Sequence, residues 1–296
     1  MSGRMKVWVV NHPFAVRRWC QVRVREAGSR ELQPGVIWAE WNEPPRLVGG
    51  LIVPRVPSMN SGPMSNVDPL VFGPRMYFDY CKKGRRTGNL RPPNLLDAGD
   101  LVLFACRNDN KIFVDTVFTI GAVRTWPQAP GSLPDWEDIG AVAERVHYHR
   151  FALDQHPEIR DPKMPARSYR GALDGDGSAR FSWVPWSKLP GAPFELRTGS
   201  PAFEALQAIY PGKDLLKGFL GSFAVTACDE SQGSALFDHL IEQASSQGFG
   251  VAAEIHLVDD AEVTSTTDRA EALACGKWKH CTEEEADLML RDGSLC

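Results

Sequence analysis

The stretch from Asp97 to Gly121, DAGDLVLFACRNDNKIFVDTVFTIG, constrains this chain more than any other, because two apolar runs meet across a polar turn. Leu101–Ala105 and Ile112–Ile120 are rich in the β-branched and aromatic residues that suit a pleated surface, and Arg107–Asn110 supplies turn chemistry between them. The pattern predicts a hairpin at the centre of a sheet. One residue interrupts it. Asp115 places a carboxylate in an otherwise apolar strand, and because burying an unpaired charge is expensive, that carboxylate needs a partner or a site that uses it.

Around this hairpin the N-terminal portion reads as strands, at Lys6–Asn11, Gly35–Trp41 and Leu47–Val53. Between them and the hairpin lies residues 54–74, a stretch of 21 residues with five prolines and two glycines, which excludes regular structure. Loops of that length inside a compact domain are usually functional or disordered. Met59, Met64, Val67, Leu70, Val71 and Phe72 give this one apolar anchors, which favours an ordered, functional loop. The middle third predicts strands at Ala143–Leu153 and Ala179–Trp186, with Gly171–Gly177 as a hairpin-like connection. Ser200–Pro201 is an N-cap followed by proline at the first helical position. Phe223–Cys228, Gly233–Ser246 and Gly250–Val258 then read as strand, amphipathic helix and strand, long enough for a crossover, and Thr282–Glu285 is a capping box for a last helix. The expectation is a single compact α+β domain over 1–296, with a mixed, mainly antiparallel sheet core, β-rich for two thirds and helix-richer in the last third. If it divides, it does so into 1–197, facing nucleic acid, and 198–296.

The overall charge of −4 conceals an asymmetry. Residues 1–125 carry 18 Lys and Arg against 10 Asp and Glu, a balance of +8, whereas the remaining 171 carry 15 against 27, a balance of −12. Arg17, Arg18, Arg23, Arg25 and the run Lys82, Lys83, Arg85, Arg86 and Arg91 concentrate the positive charge, the footprint of a polyanion-binding face. The plainer explanation is a solvated charged loop. No apolar run approaches the roughly 18 to 20 residues of a membrane helix, and Met1–Lys6 leads into an apolar stretch too short for a signal-peptide core. Seven Cys at irregular spacing fit free thiols in a reducing compartment, so the expected location is the cytoplasm, with no membrane partner.

Three constellations are candidates for chemistry. Asn60, Asn66 and Asp68 stand among the prolines of the long loop; with Asp115 they supply the amides and carboxylates that recognition of a base and cleavage of its glycosidic bond require, and Phe72 and Tyr77 the rings that hold the base. Asn, Ser and Asp also simply close turns. His147 and His149 share one face of a predicted strand, where they suit a ligand phosphate or a metal, yet no HExxH or HxxE accompanies them. Cys275, His280, Cys281 and Cys296 are ligand types without the paired spacing of a zinc knuckle. Cys228 is flanked by acids that oppose thiolate formation, and reads as structural. No glycine-rich nucleotide motif occurs, so neither a cofactor nor a bound metal is expected.

The segments Asp68–Gly73, Gly99–Phe104, Phe113–Phe118, Tyr169–Ala172 and Phe181–Pro185 together resemble the nucleotide-modification-associated domain families, which accompany phage and bacterial systems for hypermodified DNA bases. The resemblance spans residues 54–186 and implies recognition or processing of modified bases, in defence against phages that carry them. It brings no established catalytic pattern, but it raises Asp115, Tyr169 and Arg170 as site residues. The expected function is an enzyme acting on modified nucleobases in DNA, a glycosylase that flips and excises a base. The alternatives are a non-catalytic reader, since Gly99-Asp100 before a strand is also typical of small nucleic-acid-gripping barrels, and a transferase or hydrolase of free nucleotides.

Overall fold

The computed structural model describes residues 4–11, 17–40, 46–48, 51–53, 69, 71–79, 96–126, 166–216 and 225–257. It is an α+β fold with mixed sheets, and mostly strand: among the described residues there are thirteen strands and two helices. β1 (Arg4–Asn11), β7 (Leu101–Asn108), β8 (Lys111–Trp126), β9 (Ala166–Gly171), β6 (Tyr77–Asp79) and β12 (Thr226–Asp229) form a central sheet in the order β12-β1-β7-β8-β9-β6, and β11 (Glu195–Leu196) pairs with the start of β8. β1 and β7 run parallel and the other described pairs antiparallel. β2 (Arg17–Glu26), β3 (Leu32–Glu40), β10 (Val184–Ser187) and β13 (Gly250–Leu257) close a small barrel.

The predicted hairpin is β7 and β8. Asn108 pairs with Lys111, and the two residues between, Asp109 and Asn110, have φ of 49° and 61°. Positive φ at both central positions is the geometry that matches the twist of a two-residue hairpin, and Asp and Asn tolerate it. The hairpin is largely apolar because both of its faces are covered. On one side Leu101, Leu103, Ala105, Ile112, Val114 and Val117 meet the helices α1 (Pro201–Ile209) and α2 (Glu230–Ser246). On the other, Val102, Phe104, Phe118 and Ile120 meet Cys20, Val22, Ile37, Val184 and Ile255 of the barrel.

The N-cap prediction at Ser200 matches the structure: its Oγ accepts the Phe203 N–H at 3.2 Å, with Pro201 in the first turn. Several expectations change. The basic run at residues 17–25 is a strand, β2, whose Cys20, Val22 and Val24 are buried while Gln21, Arg23 and Arg25 lie on the outer side. Leu47–Val53 divides into two three-residue strands paired with each other, β4 (Arg46–Val48) and β5 (Leu51–Val53). The strand predicted over Ala179–Trp186 is confined to Val184–Ser187, since Ser182 and Trp183 instead bond back to Ala172 and Val117. The strand-helix-strand unit is not a crossover within one sheet, because β12 joins the central sheet and β13 the barrel. Ala143–Leu153 and the helix after Thr282 lie outside the described residues. Among the described residues no helix is long and apolar enough to cross a membrane.

Candidate functional site: a polar bulge in the hairpin

Asp115 sits at an irregularity in the hairpin. Ala105 pairs with Val114 and Phe104 with Thr116, so Asp115 is an extra residue opposite the Phe104–Ala105 step, a β-bulge. The faces follow from this register. Ala105 and Val114 point to the helices and Phe104 to the barrel. Thr116, directly opposite Phe104, therefore faces the barrel, and Asp115, following the helix-facing Val114, does so too. The bulge thus sets two successive polar side chains on one side of the sheet. Both are enclosed, Asp115 at 2% exposure and Thr116 at 1%.

A neighbouring pair of the hairpin, Cys106 and Phe113, is apolar. Cys106, Phe113 and Trp38 form a cluster on the same seam, with Trp19 packed against it, and the Phe113 and Trp38 rings meet edge to face at 5.9 Å. The Asp115 carboxylate is not isolated. The Thr116 hydroxyl has no hydrogen-bond partner among the described residues, which in a buried position costs about 1–3 kcal/mol.

The other predicted residues fall into three groups. Phe72, at 3% exposure, and Tyr169, at 0%, are core side chains; Tyr169 stacks on Phe78 at 5.6 Å, inside an aromatic cluster with Trp8, Phe104 and Phe118. Enclosed rings of this kind are spent on packing, so they hold the sheet rather than a base. Tyr77 and Arg170 are direct cross-strand partners, and Ala122 stands opposite Arg170 on β8. With exposed Arg124 two residues further on, they give the β6–β9–β8 end of the sheet a basic and aromatic outer face. Asn60, Asn66, Asp68, Lys82, Lys83, Arg85, Arg86, Arg91 and His147 lie outside the described residues, as does the Cys275–Cys281 cluster.

Part of the early positive charge is already engaged. Arg25 donates from Nε to Glu254 at 2.8 Å and its guanidinium lies 3.4 Å from Asp174. Glu254 also meets His256 at 2.6 Å; burial alone would raise its pKa, but the Arg25 and His256 contacts outweigh that and hold it below the usual value. Lys6 and Arg167 similarly share Asp97.

The Gly99-Asp100 signature has a structural explanation. Asp100 accepts the backbone N–H groups of Lys6 and Asp97, each at 2.7 Å, and so ties the start of β1 to the turn before β7. Burial raises its pKa despite those bonds. Cys228, beside it, is also pushed up, first by burial and then by Asp100 and Asp229, which disfavours a nucleophilic role. Among the described residues no group of three or more His, Cys, Asp or Glu is placed to hold a metal ion.

Thr116 is the site residue that sequence reasoning missed. It follows Asp115 directly, but only the register with Phe104 shows that the two share a face. No protein-family model, curated protein or solved structure matches the chain. Its chemistry is read from its own side chains.

Proposed function

We propose that this chain binds a modified nucleobase turned out of DNA and hydrolyses its N-glycosidic bond. The observation that carries the proposal is the bulge that sets Asp115 and Thr116 side by side on an aromatic seam. Trp38 and Phe113, at 7% and 8% exposure, are less enclosed than Tyr169, and pockets for extruded bases combine such rings with polar groups that read the edge. The Tyr77–Arg170–Arg124 face supplies cations of the kind that fix nucleic-acid phosphates. The likeness of short motifs to the modification-associated families points the same way, to defence against phage DNA in the cytoplasm.

In this scheme Asp115 and Thr116 hold the base, and the chemistry falls to Asp68 with Asn60 and Asn66 of the 54–74 loop. Water adds across the bond between the sugar C1′ and the base nitrogen; the base departs with a proton and the sugar keeps the hydroxyl. A carboxylate is required to stabilise the oxocarbenium-like sugar and to activate that water. The second reading is a non-catalytic reader, which keeps the enclosed Asp115 and Thr116 for recognition and has no hydrolytic step.

Incubation with modified and unmodified phage DNA, followed by an assay for alkali-labile abasic sites, separates the two. The expected result is release from modified DNA that Asp68→Asn abolishes while affinity is retained. Binding without release from any substrate establishes the reader, and neither binding nor release by folded protein overturns both. Affinity should also fall steeply with salt if several phosphates are contacted.

A further inference from the structure

The helices α1 and α2 lie over β12, β1 and the hairpin, and β9 and β6 stand at the other end of the central sheet. There a ring and two cations turn outward together. We infer that this face takes single-stranded DNA in preference to duplex, an unpaired base stacking on Tyr77 while the phosphates beside it meet Arg170 and Arg124. The inference rests on the nucleobase reading above and names the form of its substrate.

Met76, Phe78 and Tyr169 turn into the core on the barrel side, together with Ile120 and Val123 of β8. Alternation then sends Tyr77, Arg170, Ala122 and Arg124 to the opposite face. The register sets Tyr77, Arg170 and Ala122 in one row across three strands, which lie about 4.8 Å apart in a sheet. Tyr77 and Arg170 are partly exposed and Arg124 is exposed, whereas Ser168, opposite Arg124, is buried and takes no part. Tyr77, Arg124 and Arg170 also have interactions within the chain. Such contacts hold the side chains in place and leave the charge at the surface, where an exposed pair is weak and yields to a phosphate.

The shape of the face decides the form of DNA. Duplex grooves admit a helix or a two-stranded ribbon, and a flat sheet face is neither. Paired bases hide their ring faces in the stack, so a duplex offers Tyr77 nothing to stack on. A single strand exposes bases and phosphates alike, and an aromatic ring with arginines beside it on an open sheet is the platform that holds one. The charge fits as well: residues 1–125 carry a balance of +8, and the sequence after β6 reaches the basic run Lys82–Arg86 within three residues. A base that is unpaired from the outset also spares the enzyme the work of extracting it from a duplex.

Fluorescence anisotropy compares a labelled, unmodified single-stranded oligodeoxynucleotide with the blunt duplex of the same sequence. The wild-type chain should bind the single strand about tenfold more tightly, the size of one base–aromatic stack. Tyr77→Ala should remove that preference and Tyr77→Phe should keep it. Arg124→Gln and Arg170→Gln should each flatten the log–log salt dependence of single-strand affinity by about 0.7, one phosphate contact apiece. Duplex bound by wild type as tightly as the single strand overturns the inference, as do unchanged salt slopes in both arginine variants. The assay for abasic sites keeps the two readings apart. Base release from modified duplex that Tyr77→Ala leaves unchanged overturns the platform and spares the glycosidic reading, whereas preferential single-strand binding with no release supports the platform alone. If Tyr77→Ala does not fold, the wild-type comparison and the exposed Arg124 still decide.

Discussion

The two sides of the central sheet are buried to a similar depth and handle polar atoms differently. On the helix side the buried hydroxyls and amides are tied down, although Trp183 Nε1 there has no partner among the described residues. Tyr210 donates its hydroxyl to the Val7 carbonyl at 2.8 Å, Gln243 and Gln247 both donate to the Glu195 carbonyl at 2.7 Å, and Ser200 donates to Gln243. On the barrel side, the bulge leaves the Thr116 hydroxyl without a partner among the described residues, next to a carboxylate. The helix side spends its hydroxyls and amides on structure; the barrel side keeps one hydroxyl that folding alone does not explain. Substitutions on each side test this difference.

The largest effect belongs to the helix side. Phe237, at 2% exposure, packs edge to face on Phe181 at 5.5 Å and sits under the sheet among Leu236, Leu240 and Phe203. Phe237→Ala should cost about 3–5 kcal/mol in urea unfolding, since both transfer energy and cavity count against it. The protein that remains folded should keep its affinity for an extrahelical base. Loss of that affinity in folded Phe237→Ala would mean the two sides are coupled.

Next comes the barrel wall. The Trp186 ring lies against Gly35 of β3 and Gly250 of β13: a Cβ on Gly35 would stand 2.6 Å from the ring, and one on Gly250 would fall inside the indole. Both neighbours are rigid and the ring is buried, so it has little room to yield. Gly250→Ala should destabilise by about 1–3 kcal/mol. A neutral result would show that the barrel repacks easily, and would weaken any claim that the seam presents fixed walls.

A matched pair of hydroxyl deletions puts the comparison most directly. Tyr210→Phe removes a bonded hydroxyl and should cost about 1 kcal/mol. Thr116→Val removes an unbonded one and should be neutral or stabilising, while affinity for an extrahelical base falls. Higher stability with lower function is the usual mark of a site kept for binding. If Thr116→Val costs as much as Tyr210→Phe, its hydroxyl is structural and the seam is only core.

Much of this division was legible in the chain, and its key step was not. The hairpin could be read because both faces are buried, which turns alternation into continuous apolar runs, and Ser200-Pro201 because capping is local chemistry. β2 has a readable period, since Cys20, Val22 and Val24 alternate with Gln21, Arg23 and Arg25, and the same arginines that mark its outer side also read as a basic run. The crossover was misjudged because a local strand-helix-strand pattern does not say which sheet each strand joins. The bulge is of the same kind. Nothing in Val114-Asp115-Thr116 alone shows that two neighbours share a face; that depends on the register with Phe104 and Ala105.

The smallest effect tests whether basic residues on the outer side of the barrel are spent on stability. Glu254 on β13 is held by Arg25 and His256, Asp174 also faces Arg25, and Arg23 lies opposite His256 across the strands. Because the Glu254 pKa is lowered in the folded chain, its contribution is present above the ordinary carboxylate range and is lost as pH falls through the lower folded value. Glu254→Gln should therefore cost about 0.5 kcal/mol near neutral pH, and the gap to wild type should close on acidification, read as unfolding midpoints across a pH series. A gap that persists in acid would mean that Glu254 acts through packing and not through its charge. In that case Arg25 is less firmly engaged than its geometry implies, and the outer face of β2 regains its claim as a phosphate-binding surface.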